Sequence, residues 1–518
     1  MRAEIDRRRG AGEGETPPAV RCNGLANTGG SGFAAGAGPP AAHTMKILPL
    51  DPLANRSLEA LLAFLGGVRA EAERDGVARL VSISVEAERL DPLAVLESIY
   101  EPGEVHFYVE RPAADFAVAG AEAVVAVECA GPGRFAAAAD FVRSTLARTV
   151  AVGAVNVPFG GPLFFATFGF ADEAAPGAAF PAGRVFVPRW QVARSGDCSV
   201  AVANTLIAPG GDIRAAAERI WRAHAKFGAF DYAAPSFAGA LEGAVAAERE
   251  VGPEGGYGDN VGAAVAAIRA GRYRKVVLAR ARDLRATTRF HPLRALNALR
   301  GRYPDCYAFS AGNGAGTSFI GASPERLAAA ADGRLRTEAL AGSAPRGRTA
   351  AEDAALARQL LHSDKDGREQ GLVLDSILRR LAKAGVATVA PGRPRVRQLP
   401  NVQHLCTPVE ATLAPDADLL RIVGELHPTP AVGGTPREAA VAHQRELEPF
   451  DRGLYAGALG WLDHRGGGEF FVGIRSALMN GDTARLYAGA GIVEGSDPAA
   501  ELAETELKMR ALREALLG

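Results

Sequence analysis

The sequence predicts an α+β fold with large antiparallel sheets, on three observations. Apolar runs of strand length recur along the 518-residue chain. Helical patterns lie among them without the strict strand–helix alternation of a doubly wound parallel sheet. And 48% hydrophobic against 23% charged residues is enough apolar material for a substantial core.

The elements follow in chain order. Leu58, Leu61, Leu62, Leu65 and Val68 fall at helical spacing among Glu and Arg, which predicts a helix over 55–76. Leu80-Val81-Ser82-Ile83-Ser84-Val85 alternates as a strand does. Val105–Val109, Ala123–Val127, Leu163–Phe168, Arg184–Trp190 and Cys198–Val202 continue the strand series, with helical patterns at 134–148 and 212–225. The stretch 228–260 is rich in Gly, Ala and Pro and reads as a loop or linker. A helix at 260–270 and a strand Lys275–Ala281 then open a second half, with strands expected near 306–311, 317–321, 326–330 and 334–339. Helices are expected at 351–362, 365–384, 416–425, 437–446 and 498–515, and strands at 454–462, 469–475 and 484–489. The expected division is 45–250 and 251–518, with the chemistry in the second part.

Residues 1–44 differ from the rest. They carry Arg7-Arg8-Arg9, much Gly, Ala and Pro, and no periodic apolar pattern, which reads as a disordered extension. Met45 opens Met-Lys-Ile-Leu-Pro-Leu, as a natural start would. A net charge of −1 gives no electrostatic reason to expect nucleic acid or an anionic membrane as partner. No apolar run reaches the ~20 residues of a membrane span. The five cysteines are far apart and form no CxxC pair, so a zinc site is not expected and reduced thiols in a cytoplasmic protein are the simplest reading.

Six charged positions sit where a surface charge has no evident purpose. Lys275 opens the otherwise apolar Val276-Val277-Leu278-Ala279. It is either an edge lysine that deters aggregation or, if buried, a usable general base. Glu325 follows the turn Ser323-Pro324 and, if shielded from water, would suit a general acid. Glu369 lies on a predicted helix ahead of Leu372, Val373 and Leu374. Ser496 or Asp497 can cap the last helix, with Pro498 at its first position. On that helix Glu501, Glu504 and Lys508, at i, i+3 and i+7, form either a solvated ion-pair face or part of a site. Glutamates converging from two helices would offer hard oxygen ligands suited to Mg²⁺. Glycines in the apolar Tyr487-Ala488-Gly489-Ala490-Gly491 imply close approach by a ligand or another backbone. The loop His427-Pro428-Thr429-Pro430-Ala431-Val432-Gly433-Gly434 is rigid and can turn backbone N–H groups toward a ligand.

In this order and spacing, Lys275, Glu325, Glu369, Glu504 and Lys508 resemble the chorismate-utilising enzymes, over roughly residues 260–515. That family includes isochorismate synthases, anthranilate synthase component I, aminodeoxychorismate synthase and salicylate synthases. The resemblance implies two antiparallel sheets packed as a sandwich with helices outside. It implies a Mg²⁺-dependent conversion of chorismate to isochorismate, since a lysine at position 275 marks the members that activate water. Ala341, in Leu340-Ala341-Gly342-Ser343, stands where the amine-transferring relatives that attack covalently carry a lysine. The roles implied are Lys275 as base toward water, Glu325 as acid toward the C4 hydroxyl, and Glu369, Glu504 and Glu501 around the metal. Gly342, Ser343, Ala431, Tyr455, Arg475, Gly489 and Lys508 would bind substrate. Salicylate synthase, which also eliminates pyruvate, and a non-catalytic chorismate-binding homologue are the alternatives. A monomer serving menaquinone or siderophore biosynthesis is expected.

Overall fold

A computed structural model describes residues 45–48, 57–228, 245–388, 391–399 and 402–517. The readings of 1–44 as a disordered extension and of Met45 as the start concern residues 1–44, which lie outside those described, as does the part of the proposed linker at 229–244. The described residues all belong to one compact unit.

The strands form one continuous, mostly antiparallel ladder that folds over on itself as two facing sheets. In the first sheet the order runs Lys275–Ala286, Thr483–Ile492, Ser476–Asn480, Thr317–Ser323, Tyr307–Asn313, Val105–Arg111 and Phe116–Glu128. It continues through Gly183–Ser195, Cys198–Ile207 and Arg79–Ala87. Its far edge holds the only parallel pairings among the described residues, of Arg79–Ala87 and Lys46–Ile47 with Thr149–Gly153. In the second sheet Phe164–Phe168, Ala458–Leu462, Gly468–Val472, Arg326–Ala331, Arg334–Pro345 and Val402–Thr412 follow one another. The sheets are joined through Phe116–Glu128 and Gly183–Ser195. These strands pair along their length but slip register between Ala123 and Val125, next to Glu122 at φ 57°. Such a bulge bends a strand, and here it lets one pair serve both layers.

Side chains alternate across each strand, and the layers read accordingly. In Lys275–Ala286, Val276 and Leu278 pack outward on Tyr257, Val261, Ala264 and Val265 of helix Gly256–Arg269. Ala279 and Ala281 belong to the inter-sheet core. Lys275 and Val277 share that inward parity. Between the sheets, Phe107 stacks on Phe165 with ring centres 4.9 Å apart, and Phe309 meets Phe471 at 5.0 Å. Fully burying one such ring stabilises the fold by about 1.5–3 kcal/mol. Other helices cover outer faces, as Leu61, Leu65 and Val68 of Leu58–Asp75 do over Val81 and Ile83.

Two expectations are corrected. The proposed linker 228–260 contains a strand, Val245–Glu250, paired with Lys275–Ala286, and the start of the Gly256–Arg269 helix. Helices Pro92–Ile99 and Pro292–Arg302 and strands Thr149–Gly153 and Val402–Thr412 also lie where no element was expected. Cys129, Cys306 and Cys406 are free thiols.

Two segments switch from one sheet to the other. Thr317–Ser323 lies in the first sheet and Arg326–Ala331 in the second, so Pro324-Glu325 is a crossover. Gly468–Val472 and Ser476–Asn480 bracket a second crossover, Gly473-Ile474-Arg475. The two run side by side: Val472 N donates to Glu325 O at 3.1 Å and Ala322 N to Arg475 O at 3.1 Å. Arg475 takes φ 51° to make its turn, a region where a non-glycine residue is uncommon and often functional. Ordinary strand chemistry is interrupted at both points, so two polar side chains arrive together at the open end of an apolar sandwich.

Candidate active site

One cavity of about 110 Å³ lies at that end of the sandwich. Lys275, Glu325, Gly342, Ser343, Glu369, Ala431, Tyr455, Arg475, Gly489, Glu504 and Lys508 all line it. Glu501 does not.

Lys275 is 1% exposed, so it is no edge lysine. Its strand is flanked by Gly434–Thr435 on one side and Thr483–Ile492 on the other, and its inward parity sends the side chain between the sheets. There its Nζ lies 2.6 Å from Glu369 Oε1. Room for this pair depends on Gly491. A Cβ at that position would fall 3.0 Å from Lys275 Cε and 3.2 Å from Glu369 Oε1.

Glu369 is carried by helix Asp364–Lys383, capped by Ser363, whose Oγ accepts from Asp366 N at 3.2 Å. The next residue docks the helix: Gln370 Nε2 donates to Ala339 O at 2.8 Å and to Thr407 Oγ1 at 2.9 Å. Gly342, at φ 72°, lets the second sheet approach this helix, for a Cβ there would lie 3.0 Å from Asp366.

Glu325 faces Lys275 from the opposite sheet. Burial, reinforced by the negative charge of Glu338, raises its carboxyl to about 7, against the opposing pull of Lys275. Thr429 of the proline-rich loop reaches it at 3.5 Å.

On the terminal helix Pro498–Leu517, Asp497 is the cap, its Oδ1 accepting from Ala500 N at 2.9 Å. Lys508 bridges Glu504 at 2.6 Å and donates to Gly489 O at 2.8 Å, which fastens the helix to the glycine-bearing strand. The Lys508 charge holds the Glu504 carboxyl below its ordinary value. Glu501 behaves differently: burial raises its carboxyl. Among the described residues no three acids, histidines or cysteines form a metal-holding group. Of the three glutamates expected around the metal, Glu369 and Glu504 line the cavity and Glu501 does not. Two carboxylates fit Mg²⁺, which commonly takes one or two from protein and completes its shell with water and an anionic ligand.

Arg475 completes the charge pattern. Its environment lowers its pKa, burial being the main cause, and among the described residues no carboxylate pairs with it within 4.0 Å. A guanidinium brought to a cavity without its own anion is suited to receive one from a ligand. Ser343 Oγ lies 2.9 Å from Nδ1 of His404, a residue the sequence reading did not single out. His404 also lines the cavity, opposite Ser343 in the ladder. Burial, with the charges of Arg475 and Lys508, pushes it down to about 3, so it is a neutral imidazole whose Nε2 is buried with no hydrogen-bond partner among the described residues. Its signal in the sequence was a histidine in strand Val402–Thr412, hidden because Pro408 interrupts the pattern. Tyr455 stacks on Tyr487 with ring centres 5.0 Å apart and closes the wall near Gly489, where a Cβ would meet its hydroxyl at 2.9 Å. Ala341 lines the cavity with a methyl group.

The chain is similar to known proteins. The family model described as "Chorismate binding enzyme" matches residues 67–517. The salicylate biosynthesis isochorismate synthase of Pseudomonas aeruginosa is 37% identical over 441 residues, covering 84% of this chain and 90% of that one. The isochorismate synthase MenF of Bacillus subtilis is 34% identical over 361 residues, 69% and 75% of the two chains. Among solved structures, MenF, the menaquinone-specific isochorismate synthase from Escherichia coli, superposes with TM-score 0.72 at 27% identity, over 90% of this chain and 99% of that one. A match of this extent, with acid, lysine and glutamates gathered on one cavity, places the chain in the chorismate-binding enzyme family.

Proposed function

We propose that the protein is an isochorismate synthase, an isomerase that converts chorismate to isochorismate with water as nucleophile. The observation that carries this reading is the pairing across one cavity of a buried lysine with a carboxyl raised to about 7. At position 341 the same cavity offers only a methyl group. An acid that is half-protonated near neutral pH matches the task of protonating a leaving hydroxyl.

Lys275 is the base: it takes a proton from water as the water oxygen attacks C2 of the ring. The ring double bonds shift, the C4–O bond breaks, and Glu325 delivers its proton to the departing hydroxyl. One water enters and one leaves, so the composition is unchanged. Arg475 and Lys508 supply positive charge to the substrate's carboxylates, and Gly342, Ser343, Ala431, Tyr455 and Gly489 shape the walls. Glu369 and Glu504 would hold Mg²⁺, which when bound supplies positive charge toward the ring carboxylate. A cytoplasmic monomer, free of nucleic acid and membrane, is part of the same proposal. Among the described residues no helix is long and apolar enough to cross a membrane.

The test is incubation of the pure protein with chorismate and Mg²⁺. Isochorismate without pyruvate is the expected product. Stoichiometric salicylate and pyruvate would overturn the reading in favour of a salicylate synthase, and absence of turnover in favour of a binding protein.

A further inference from the structure

Glu325 is held from behind by a second pair of charges that the cavity does not expose. Glu338 lies in strand Arg334–Pro345, and Arg397 in the short strand Arg395–Gln398 on the far side of Val402–Thr412. Their side chains meet as a two-pronged ion pair, Nη1 to Oε1 at 2.6 Å and Nη2 to Oε2 at 2.5 Å. The Glu338 side chain is 5% exposed. The pair then grips the backbone on both sides of the acid. Arg397 Nη1 donates to Pro324 O at 3.2 Å, and Arg326 N points at Glu338 Oε1 at 3.4 Å. Pro324 and Arg326 are the two chain neighbours of Glu325. A buried ion pair is weak evidence of a stabilising role, because desolvating both charges offsets much of their attraction. Its placement around a single carboxyl calls for another account.

We propose that the Arg397–Glu338 ion pair is a positioning element for the acid: it clamps the Pro324–Arg326 backbone and turns its negative end toward the Glu325 carboxyl. The inference rests on the reading of Glu325 as proton donor. The groups facing that carboxyl are Glu338 and Arg397 from the second sheet, Lys275 from the first, Thr429 from the proline-rich loop and Tyr455 from the wall. Glu338 raises the Glu325 carboxyl, whereas Arg397 lowers it only as the smallest of the named causes. Arg397 in turn holds Glu338 below its ordinary value despite burial, so the charge that acts on Glu325 is present throughout the working pH range. Two anions at close quarters cannot both ionise freely, and the one with the arginine keeps its charge. Glu325 keeps its proton.

The test is the pH profile of kcat and KM for chorismate, measured with Mg²⁺ on the full chain and two variants. Glu338→Gln preserves shape and an oxygen for Arg397 but removes the charge. Its KM is expected to stay within about twofold, and its basic limb to move down by roughly one pH unit, so that kcat falls about fivefold more at pH 8 than at pH 6. Arg397→Lys keeps the charge and loses the fork; kcat is expected to fall with the limb in place. An equal loss at every pH in Glu338→Gln, or an unchanged profile, would overturn the proposal. If Glu338→Gln does not fold, as judged by circular dichroism, Glu338→Gln/Arg397→Gln replaces it. The basic limb is again expected lower, and an unmoved limb again overturns the proposal. Glu325→Gln separates the two readings. If it retains the basic limb, Glu325 is not the donor and the functional reading fails. If it loses the limb while Glu338→Gln leaves the limb in place, only the role of the pair fails.

Discussion

Lys275 Nζ and Glu369 Oε1 lie 2.6 Å apart, which ties the proposed base to a proposed metal ligand. The two roles draw on the same carboxylate. A metal ion held by Glu369 would compete with the lysine for that carboxylate, beside the place where water must be activated. Lys508 and Glu504 repeat the arrangement at 2.6 Å on the terminal helix. Each carboxylate of the proposed metal pair is thus matched with a lysine, and the cavity avoids carrying two uncompensated buried anions.

This pairing predicts opposite effects of two substitutions on metal binding. Glu369→Gln should weaken Mg²⁺ binding by about a hundredfold or more, at the upper end of the 10–100-fold that even outer-shell partners of a metal are worth. Lys275→Ala should leave Mg²⁺ affinity equal or higher, because a competing cation is gone, while kcat falls by roughly 10²–10⁴. Calorimetric titration of Mg²⁺ into each variant reads the first effect, and isochorismate formation reads the second. Near-normal turnover of Lys275→Ala would remove it as the base.

Gly491→Ala should separate catalysis from folding. The position is extended strand, so alanine costs the backbone little. The added methyl, though, falls 3.0 Å from Lys275 Cε and 3.2 Å from Glu369 Oε1, and one side chain must move. Displacement of a reacting group by about 1 Å can cost on the order of 10²-fold in rate. We expect kcat to fall by that order with the melting temperature nearly unchanged. Equal activity of the variant would mean that the Lys275–Glu369 geometry is not needed.

How much of this was legible in the sequence depended on pattern. Val105–Arg111 and Phe164–Phe168 announce themselves as apolar strands, and the parity of Lys275 with Ala279 and Ala281 follows once its strand is placed. Glycines opposite a cavity were legible at Gly489 for the same reason. Val402–Thr412 was not, because Pro408 breaks it, and His404 went with it. Neither was the pairing that bends two strands into both sheets, since a bulge at Glu122 leaves no periodic trace. Glu501 shows the limit of helical spacing. Residues three apart on a helix differ by about 60° around its axis, enough for Glu504 to line the cavity while Glu501 does not.

Arg475 should govern substrate affinity. Without a protein carboxylate of its own among the described residues, it gains its partner from the ligand. Charge-assisted hydrogen bonds are worth about 1.5–3 kcal/mol each, so Arg475→Met should raise KM for chorismate by roughly 10–100-fold. Arg475→Lys should recover only part of that loss, because the planar fork is absent. A steady-state series at fixed Mg²⁺ tests this. A lower kcat with KM unchanged would instead place Arg475 in the chemical step alone.

Glu325 should make the protein less stable as pH rises from about 4.5 to 7. Its carboxyl titrates at about 7 in the folded chain, against 4.5 as the ordinary value. Below about pH 4.5 both states are protonated, and folding costs nothing at this group. Between 4.5 and 7 the unfolded chain ionises while the folded one does not, so the stability associated with the neutral carboxyl is lost progressively, and above about pH 7 the loss is complete. The gap corresponds to about 3 kcal/mol at most. Glu325→Gln resembles the protonated form at every pH. It should therefore match the parent protein in denaturant midpoint at pH 4 and exceed it at pH 8, while isochorismate formation falls by roughly 10²–10⁴. A variant no more stable than the parent at pH 8 would mean that the carboxyl ionises without penalty, which a leaving-group acid working at neutral pH cannot do.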